Sequence, residues 1–199
     1  QFVGMDKVSI RDGRLVKTTF GVQLDANAIA QGYVVDVIAG LLEKRGITNY
    51  LVELGGEIRT AGAKPGGLPW RVGIDRPVEH NYAPGADLQV ILELGEKALA
   101  TSGNYRKFYE KDGVKYSHSI DPRTGRPVMD RLLSATVIAE DCMTADAYAT
   151  AFMVMGLEET QSFLAERSGL EAYLVYSDST GDFRVWHTTG FESYIAENK

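Results

Sequence analysis

The sequence lacks most of the features that settle a class at once. Its 199 residues contain one cysteine, Cys142, which excludes an internal disulfide framework and a cysteine-built zinc site. No Lys/Arg run is longer than two residues, and 21 basic against 27 acidic side chains leave a net charge of −6. That balance argues against a nucleic-acid binder, which carries a basic patch or stripe. No apolar run approaches the ~20 residues needed to span a bilayer. Histidine is scarce, with only His80, His118 and His187. The chain opens on Gln1-Phe2-Val3-Gly4, with no basic stretch leading into an apolar one. The expectation is that a segment was removed or that the chain is a piece of something longer. No repeat, heptad or low-complexity linker divides the sequence, so one domain over residues 1–199 is expected.

What is present is an ordinary apolar fraction of 44%, enough for a folded core. There are also 21 glycines, gathered in clusters. Residues 8–17 read as a hairpin turning at Asp12-Gly13. Residues 28–45 read as a helix, with Ile29, Val34, Val37, Ile38, Leu41 and Leu42 at helical spacing and Gly46 as its stop. Strands are expected at 50–54, 70–75, 90–94, 98–101 and 133–139, a hairpin at 108–117, and a loop at 61–69. Helices are expected at 143–155 and 158–167, and a closing hairpin at 172–176 and 183–187. Strands come in runs with helices inserted between them. This predicts an α+β fold with a largely antiparallel sheet.

Five stretches carry candidate chemistry. In Leu24–Tyr33, a carboxylate before a helix start either caps free N–H groups or holds a ligand there. Asp25 and Asn27 are the candidates. In Glu53–Glu57, paired glycines after a strand suit a tight turn or the close approach of a phosphate or flavin. Thr101-Ser102-Gly103-Asn104-Tyr105 offers hydroxyls and an amide, as an anion-binding loop would. Tyr116–Pro127 packs His118, Asp121, Arg123 and Thr124 between prolines and a glycine, a composition poor for a core and suited to a rigid functional loop. In Thr144–Ala151, Asp146 and Thr150 are four apart and share one helix face. Together they are hard oxygen ligands suited to Mg²⁺. The bland alternative is a first-turn Asp favoured by the helix dipole, with Thr150 bonding back to a carbonyl.

The order of these stretches is recognisable. Asp-x-Asn-Ala-Ile-Ala-x-Gly-Tyr-x-x-Asp, then Gly-Gly-Glu, Thr-Ser-Gly-Asn-Tyr, Tyr-Ser-His-x-Ile-Asp-Pro-Arg-Thr-Gly-x-Pro and Ala-Asp-Ala-x-Ala-Thr-Ala resembles the ApbE-type FAD:protein FMN transferases. The resemblance runs from about Val22 to the C-terminus. It implies an ApbE-like, T-fold-related architecture and an Mg²⁺-dependent enzyme acting on FAD. Such an enzyme would transfer FMN to a Thr or Ser of an acceptor flavoprotein and release AMP. The alternatives are an FAD pyrophosphatase and a flavin-binding protein without turnover.

By motif match, the metal would be held by the Ala28 carbonyl, Asp146 and Thr150. The flavin nucleotide would meet Asp25, Gln31, Glu57, Ser102, Gly103, Asn104, His118, Ile120 and Asp121. His118 and Asp146 would be catalytic, His118 as general base or orienting group. The family usually has Lys where Gln31 stands and often Asp where Asn104 stands. It also carries a further segment before Val8, whose absence would leave an exposed apolar patch. Residues 118–121 are expected beside Ala28 and the start of the Asp146 helix. The resemblance further implies an extracytoplasmic, lipoprotein-type location. A homo-oligomer is left open.

Overall fold

The computed structural model describes residues 2–77, 85–104 and 119–196, and of 108–111 and 114–117 the backbone. The chain opens with the hairpin β1 (Val8–Arg11) and β2 (Arg14–Lys17). Its turn places Asp12 and Gly13 at φ of 50° and 71°, the left-handed pair that a two-residue hairpin needs. There follow α1 (Asn27–Lys44), β3 (Tyr50–Leu54), β4 (Glu57–Ala61), β5 (Arg71–Asp75), β6 (Leu88–Glu93) and β7 (Ala98–Gly103). Next come β8 (Phe108–Lys111), β9 (Val114–Ser117), and the two-residue strands β10 (Ile120–Asp121) and β11 (Arg126–Pro127). β12 (Leu132–Ala139), α2 (Cys142–Met155), α3 (Leu157–Ala165), β13 (Glu171–Ser177) and β14 (Phe183–His187) complete the order.

Six strands form one sheet in the order β14-β13-β12-β7-β4-β3. Every neighbouring pair is antiparallel. The expected α+β class therefore holds. β12 sits inside the sheet and is buried on both faces, which explains its nearly unbroken apolar run. Its Ala135, Val137 and Ala139 pack with Ala145, Ala149, Phe152 and Met153 of α2. The alternate residue Ile138 packs on the opposite face with Val72, Ile74 and Leu92 of β5–β6 and with Phe191. The same alternation runs along β7, where Ala98 and Ala100 face the helices and Leu99 faces β5–β6. Ser102 continues the helix-facing series, so it points at α2.

Several boundaries differ from expectation for physical reasons. β4 was not foreseen, because Glu57 and Arg59 interrupt its apolar pattern. β7 runs on through Ser102 and Gly103, which pair with Ala135 and Ser134 of β12, so part of the supposed anion-binding loop is ladder. α2 begins at Cys142 because Asp141 is its N-cap, accepting from the Thr144 N–H at 2.8 Å.

α1 is apolar on more than one side. Val35 and Ala39 are buried with Tyr50, Val52 and Cys142. Its outward side leaves Ile29, Tyr33, Val34, Val37, Ile38 and Leu41 between 38% and 56% exposed. Leu51 and Leu54 of the edge strand β3 are exposed as well. Among the described residues, no helix is long and apolar enough to cross a membrane.

Candidate active site

The site is built where α1 crosses α2, and a glycine sets the crossing. A Cβ on Gly32 would lie 2.7 Å from the Cys142 carbonyl carbon and 2.8 Å from the Met143 Cα, and would strike the Cys142 carbonyl oxygen. Only a bare Cα fits there. The close approach lets the Gly32 N–H donate to Asp146 Oδ2 at 3.0 Å. In an α-helix that same N–H belongs to the carbonyl four residues back, which is Ala28. The Asp146 carboxylate and the Ala28 carbonyl therefore converge on one nitrogen.

Asp146 is 5% exposed. Burial raises its pKa above the usual carboxylate value, and the Gly32 N–H pulls the other way. Among the described residues, Gly32 is its one hydrogen-bond partner. A buried carboxylate with so little compensation suits a cation. Asp146 also lies beyond the first turn of α2, whose capping is done by Asp141. The helix-dipole reading of Asp146 is thus replaced by a carboxylate aimed into the helix crossing.

Thr150, one turn further along α2, places its hydroxyl 3.1 Å from the Ser102 hydroxyl. Carbonyl, carboxylate and two hydroxyls make an all-oxygen set, the chemistry that suits Mg²⁺ and not zinc. Among the described residues no three or more His, Cys, Asp or Glu side chains are grouped so as to hold a metal ion. Mg²⁺ needs only one or two carboxylates, with phosphate and water completing its shell. The residues present fit such an ion.

Beside this set, Glu57 is buried at 7% exposure. Gln31 Nε2 donates to Glu57 Oε2 at 3.0 Å and to the Leu54 carbonyl at 3.4 Å. Gly55 and Gly56 form the tight turn between β3 and β4, at φ of 68° and 113°. A side chain at Gly55 would strike the Gln31 amide, so here the paired glycines serve both a turn and a close approach. Asp25 Oδ1 accepts from the Asn27 N–H at 2.8 Å. It closes a local turn before α1, which has no side-chain cap of its own. Asn104 ties the end of β7 to β12, its Nδ2 donating to the Leu132 carbonyl at 3.1 Å and its N–H to the Leu133 carbonyl at 3.1 Å.

His118 lies outside the described residues. Ile120 is exposed on β10. The expectation that Asp121 lies beside the start of α2 does not hold, because its surroundings belong to the other end of that helix. Asp121 borders an open cavity of ≈ 790 Å³ together with Arg126, Met129, Val154 and Met155. Val154 is eight residues past Asp146, about 12 Å along the helix axis. Asp121 Oδ1 accepts from the Arg123 N–H at 2.8 Å and from its guanidinium at 3.1 Å. These contacts hold its carboxyl below the usual carboxylate range. Arg123 in turn reaches Glu159 of α3 at 3.0 Å. The proline-rich loop is therefore tied to α3, the helix that follows the far end of α2.

Sequence reasoning assigned no role to Asp36. Its Oδ1 accepts from Arg59 at 2.8 Å and from the Cys142 N–H at 3.0 Å, and its Oδ2 accepts from the Met143 N–H at 2.8 Å. The available signal was its spacing, four residues after Gly32 on the same face of α1. Cys142 is fully buried and its thiol is pushed upward by burial, so it is no nucleophile.

A sequence profile of the ApbE family matches residues 1–174. The chain belongs to the ApbE family. A curated FAD:protein FMN transferase from Vibrio cholerae is 40% identical over 194 residues, which are 98% of this chain and 56% of that protein. The protein of the same name from Escherichia coli K12 is 38% identical over 176 residues, 88% of this chain and 48% of that one. The solved flavin transferase ApbE from Vibrio cholerae superposes with a TM-score of 0.84 at 38% identity, covering 97% of this chain and 59% of that one. The apo flavinyl transferase ApbE of Pseudomonas stutzeri gives 0.83 at 38% identity, over 100% of this chain and 59% of that one. The chain thus spans about half the length of the curated ApbE relatives it matches.

Proposed function

We propose that this chain is the metal-binding and nucleotide-binding part of an FAD:protein FMN transferase. The observation that carries this reading is the buried Asp146, held by one N–H beside the Ala28 carbonyl and one helical turn from Thr150. The names of its ApbE relatives supply the reaction class.

Cleaving the FAD pyrophosphate needs charge neutralisation on the phosphate oxygens and an in-line nucleophile. Mg²⁺ bound by the Ala28 carbonyl, Asp146 and Thr150 would supply the neutralisation. Asp146 would present its carboxylate to the ion, and the Gly32 N–H fixes which oxygen it presents. Ser102 orients the Thr150 hydroxyl. Gln31 and Glu57, together with Asp25 and the Ser102–Asn104 strand end, line the nucleotide side. The acceptor is a Thr or Ser hydroxyl of another protein. Its oxygen forms a bond to the FMN phosphorus, the phosphoanhydride bond to AMP breaks, and His118 takes the hydroxyl proton. The extracytoplasmic location implied by the family resemblance is part of the same proposal.

The test is incubation of the chain with FAD, an acceptor domain and Mg²⁺, with analysis for AMP and for a flavin-bearing acceptor. Both should appear with Mg²⁺ and neither with a chelator. FAD that stays intact under both conditions would sink the reading.

A further inference from the structure

The helix crossing is pinned at a second point, away from the oxygen set. The Asp36 carboxylate leaves α1 and accepts the first two N–H groups of α2, those of Cys142 and Met143. Asp141 accepts the third, that of Thr144. The donors that a helix start normally leaves without partners are thus claimed in part by a neighbouring helix. Asp36 is itself held from the sheet by Arg59 of β4 at 2.8 Å. Arg59 also faces Glu43 at 3.6 Å, and Glu43 accepts from the Tyr50 hydroxyl at 2.5 Å. One carboxylate therefore joins α1, α2 and β4.

The two helices run in opposite directions through these contacts. Asp36 meets Cys142 and Met143, and Gly32 meets Asp146, so four-residue steps down α1 match four-residue steps up α2. The next step in each series is Ala28 and Thr150, the other two oxygen donors. Each step is about 6 Å of helix rise. A slip of α2 along α1 would carry Asp146 and Thr150 away from Ala28 together.

Resting on the Mg²⁺ reading above, we propose that Asp36, clamped by Arg59, is a positioning residue: it sets the register of α2 against α1 and so the spacing of the Ala28, Asp146 and Thr150 oxygens. It touches neither metal nor nucleotide. It acts through the start of α2.

The experiment compares Asp36→Asn and Val35→Ala in the full chain, with Arg59→Met as a third variant. Asp36→Asn keeps the shape but replaces one acceptor oxygen with an amide that faces N–H donors. Val35 is a buried neighbour on the same helix turn, in the cluster that contains Cys142, and its truncation loosens packing while leaving every hydrogen bond of the clamp in place. Mn²⁺ binding in the presence of FAD is titrated from the electron paramagnetic resonance signal of free Mn²⁺, and thermal midpoints are recorded alongside. Asp36→Asn should weaken Mn²⁺ binding by about tenfold or more, the usual range for supports behind metal ligands. Val35→Ala should lower the midpoint and leave Mn²⁺ affinity within about twofold of wild type. Arg59→Met should act in the same direction as Asp36→Asn. Unchanged Mn²⁺ affinity in Asp36→Asn, or an equal loss in Val35→Ala, overturns the positioning role. Failure of the wild-type chain to bind Mn²⁺ at all overturns the metal reading, and the positioning role with it.

Discussion

Replacing Gly32 with alanine adds one methyl group where two backbones touch. The new Cβ would lie 2.7 Å from the Cys142 carbonyl carbon, whereas carbon atoms pack at about 3.5 Å or more. The helices must therefore part by about 0.8 Å or more, the shortfall against that packing distance. Overpacking of this kind costs about 1–3 kcal/mol. Alanine's better helix propensity returns about 0.5–1 kcal/mol, which leaves a net loss of about 1 kcal/mol at the middle of the two ranges. In a domain of this size that lowers the thermal midpoint by roughly 2–5 °C. Parting the helices also lengthens the contact from Gly32 to Asp146, so Mg²⁺-dependent stabilisation should fall. Gly40, on the same helix, provides the opposite case. A Cβ there meets nothing within 4 Å, so Gly40→Ala should raise stability by about 0.4–1 kcal/mol. Scanning calorimetry with and without Mg²⁺ reads both effects. A Gly32→Ala chain that melts at or above wild type would refute the argument that a bare Cα sets the crossing.

Three further outcomes are expected. Because Asp146 has a raised folded-state pKa, the folded chain binds its proton more tightly than the unfolded chain. Without metal, stability is therefore lost as pH climbs above the usual carboxylate value of 3.8. Metal-free Asp146→Asn should melt at or above wild type at pH 7, converge with it near pH 3 to 4 (about the usual carboxylate range), and show no Mg²⁺-induced shift; a large loss of stability at pH 7 would mean Asp146 is structural. Gln31→Lys, placed within reach of Glu57 and the nucleotide side, should tighten FAD binding up to about fivefold, the gain shrinking with added salt. A gain that ignores salt, or no gain in an FAD-binding chain, would show that position 31 does not reach the diphosphate. Val37→Glu, on the exposed side of α1, should change the midpoint of this chain by no more than about 0.5 kcal/mol equivalent, while Val35→Ala should cost about 2 kcal/mol; chemical denaturation of both tests the burial assignment.

The parts of the fold legible in the sequence are those with strong local signals. The first helix showed its apolar spacing and its glycine stop, and the strand expected at 133–139 is β12 within one residue. Asp146 and Thr150 could be paired because four residues is one helical turn. β4 stayed hidden because Glu57 is drawn inward to Gln31 and Arg59 to Asp36. Their charges are satisfied by partners 26 and 23 residues away, and no local pattern reports that. The two-residue strands β10 and β11 are too short to show alternation. Asp121 was misplaced because a loop's polar content says nothing about which end of a helix anchors it. Arg123 and Glu159 decide that, across 36 residues. Asp36 showed only its spacing from Gly32, because the N–H groups it accepts belong to a helix more than a hundred residues later.

The account rests most heavily on the oxygen set at the helix crossing. The most direct measurement is a crystal of the chain soaked with FAD and Mn²⁺, which takes the same oxygen ligands as Mg²⁺ and scatters anomalously. The account predicts one anomalous peak bounded by the Ala28 carbonyl, Asp146 and Thr150, at about 2.0–2.2 Å from their oxygens, and loss of that peak in Asp146→Asn. A peak elsewhere, or one that survives the Asn substitution, would contradict it.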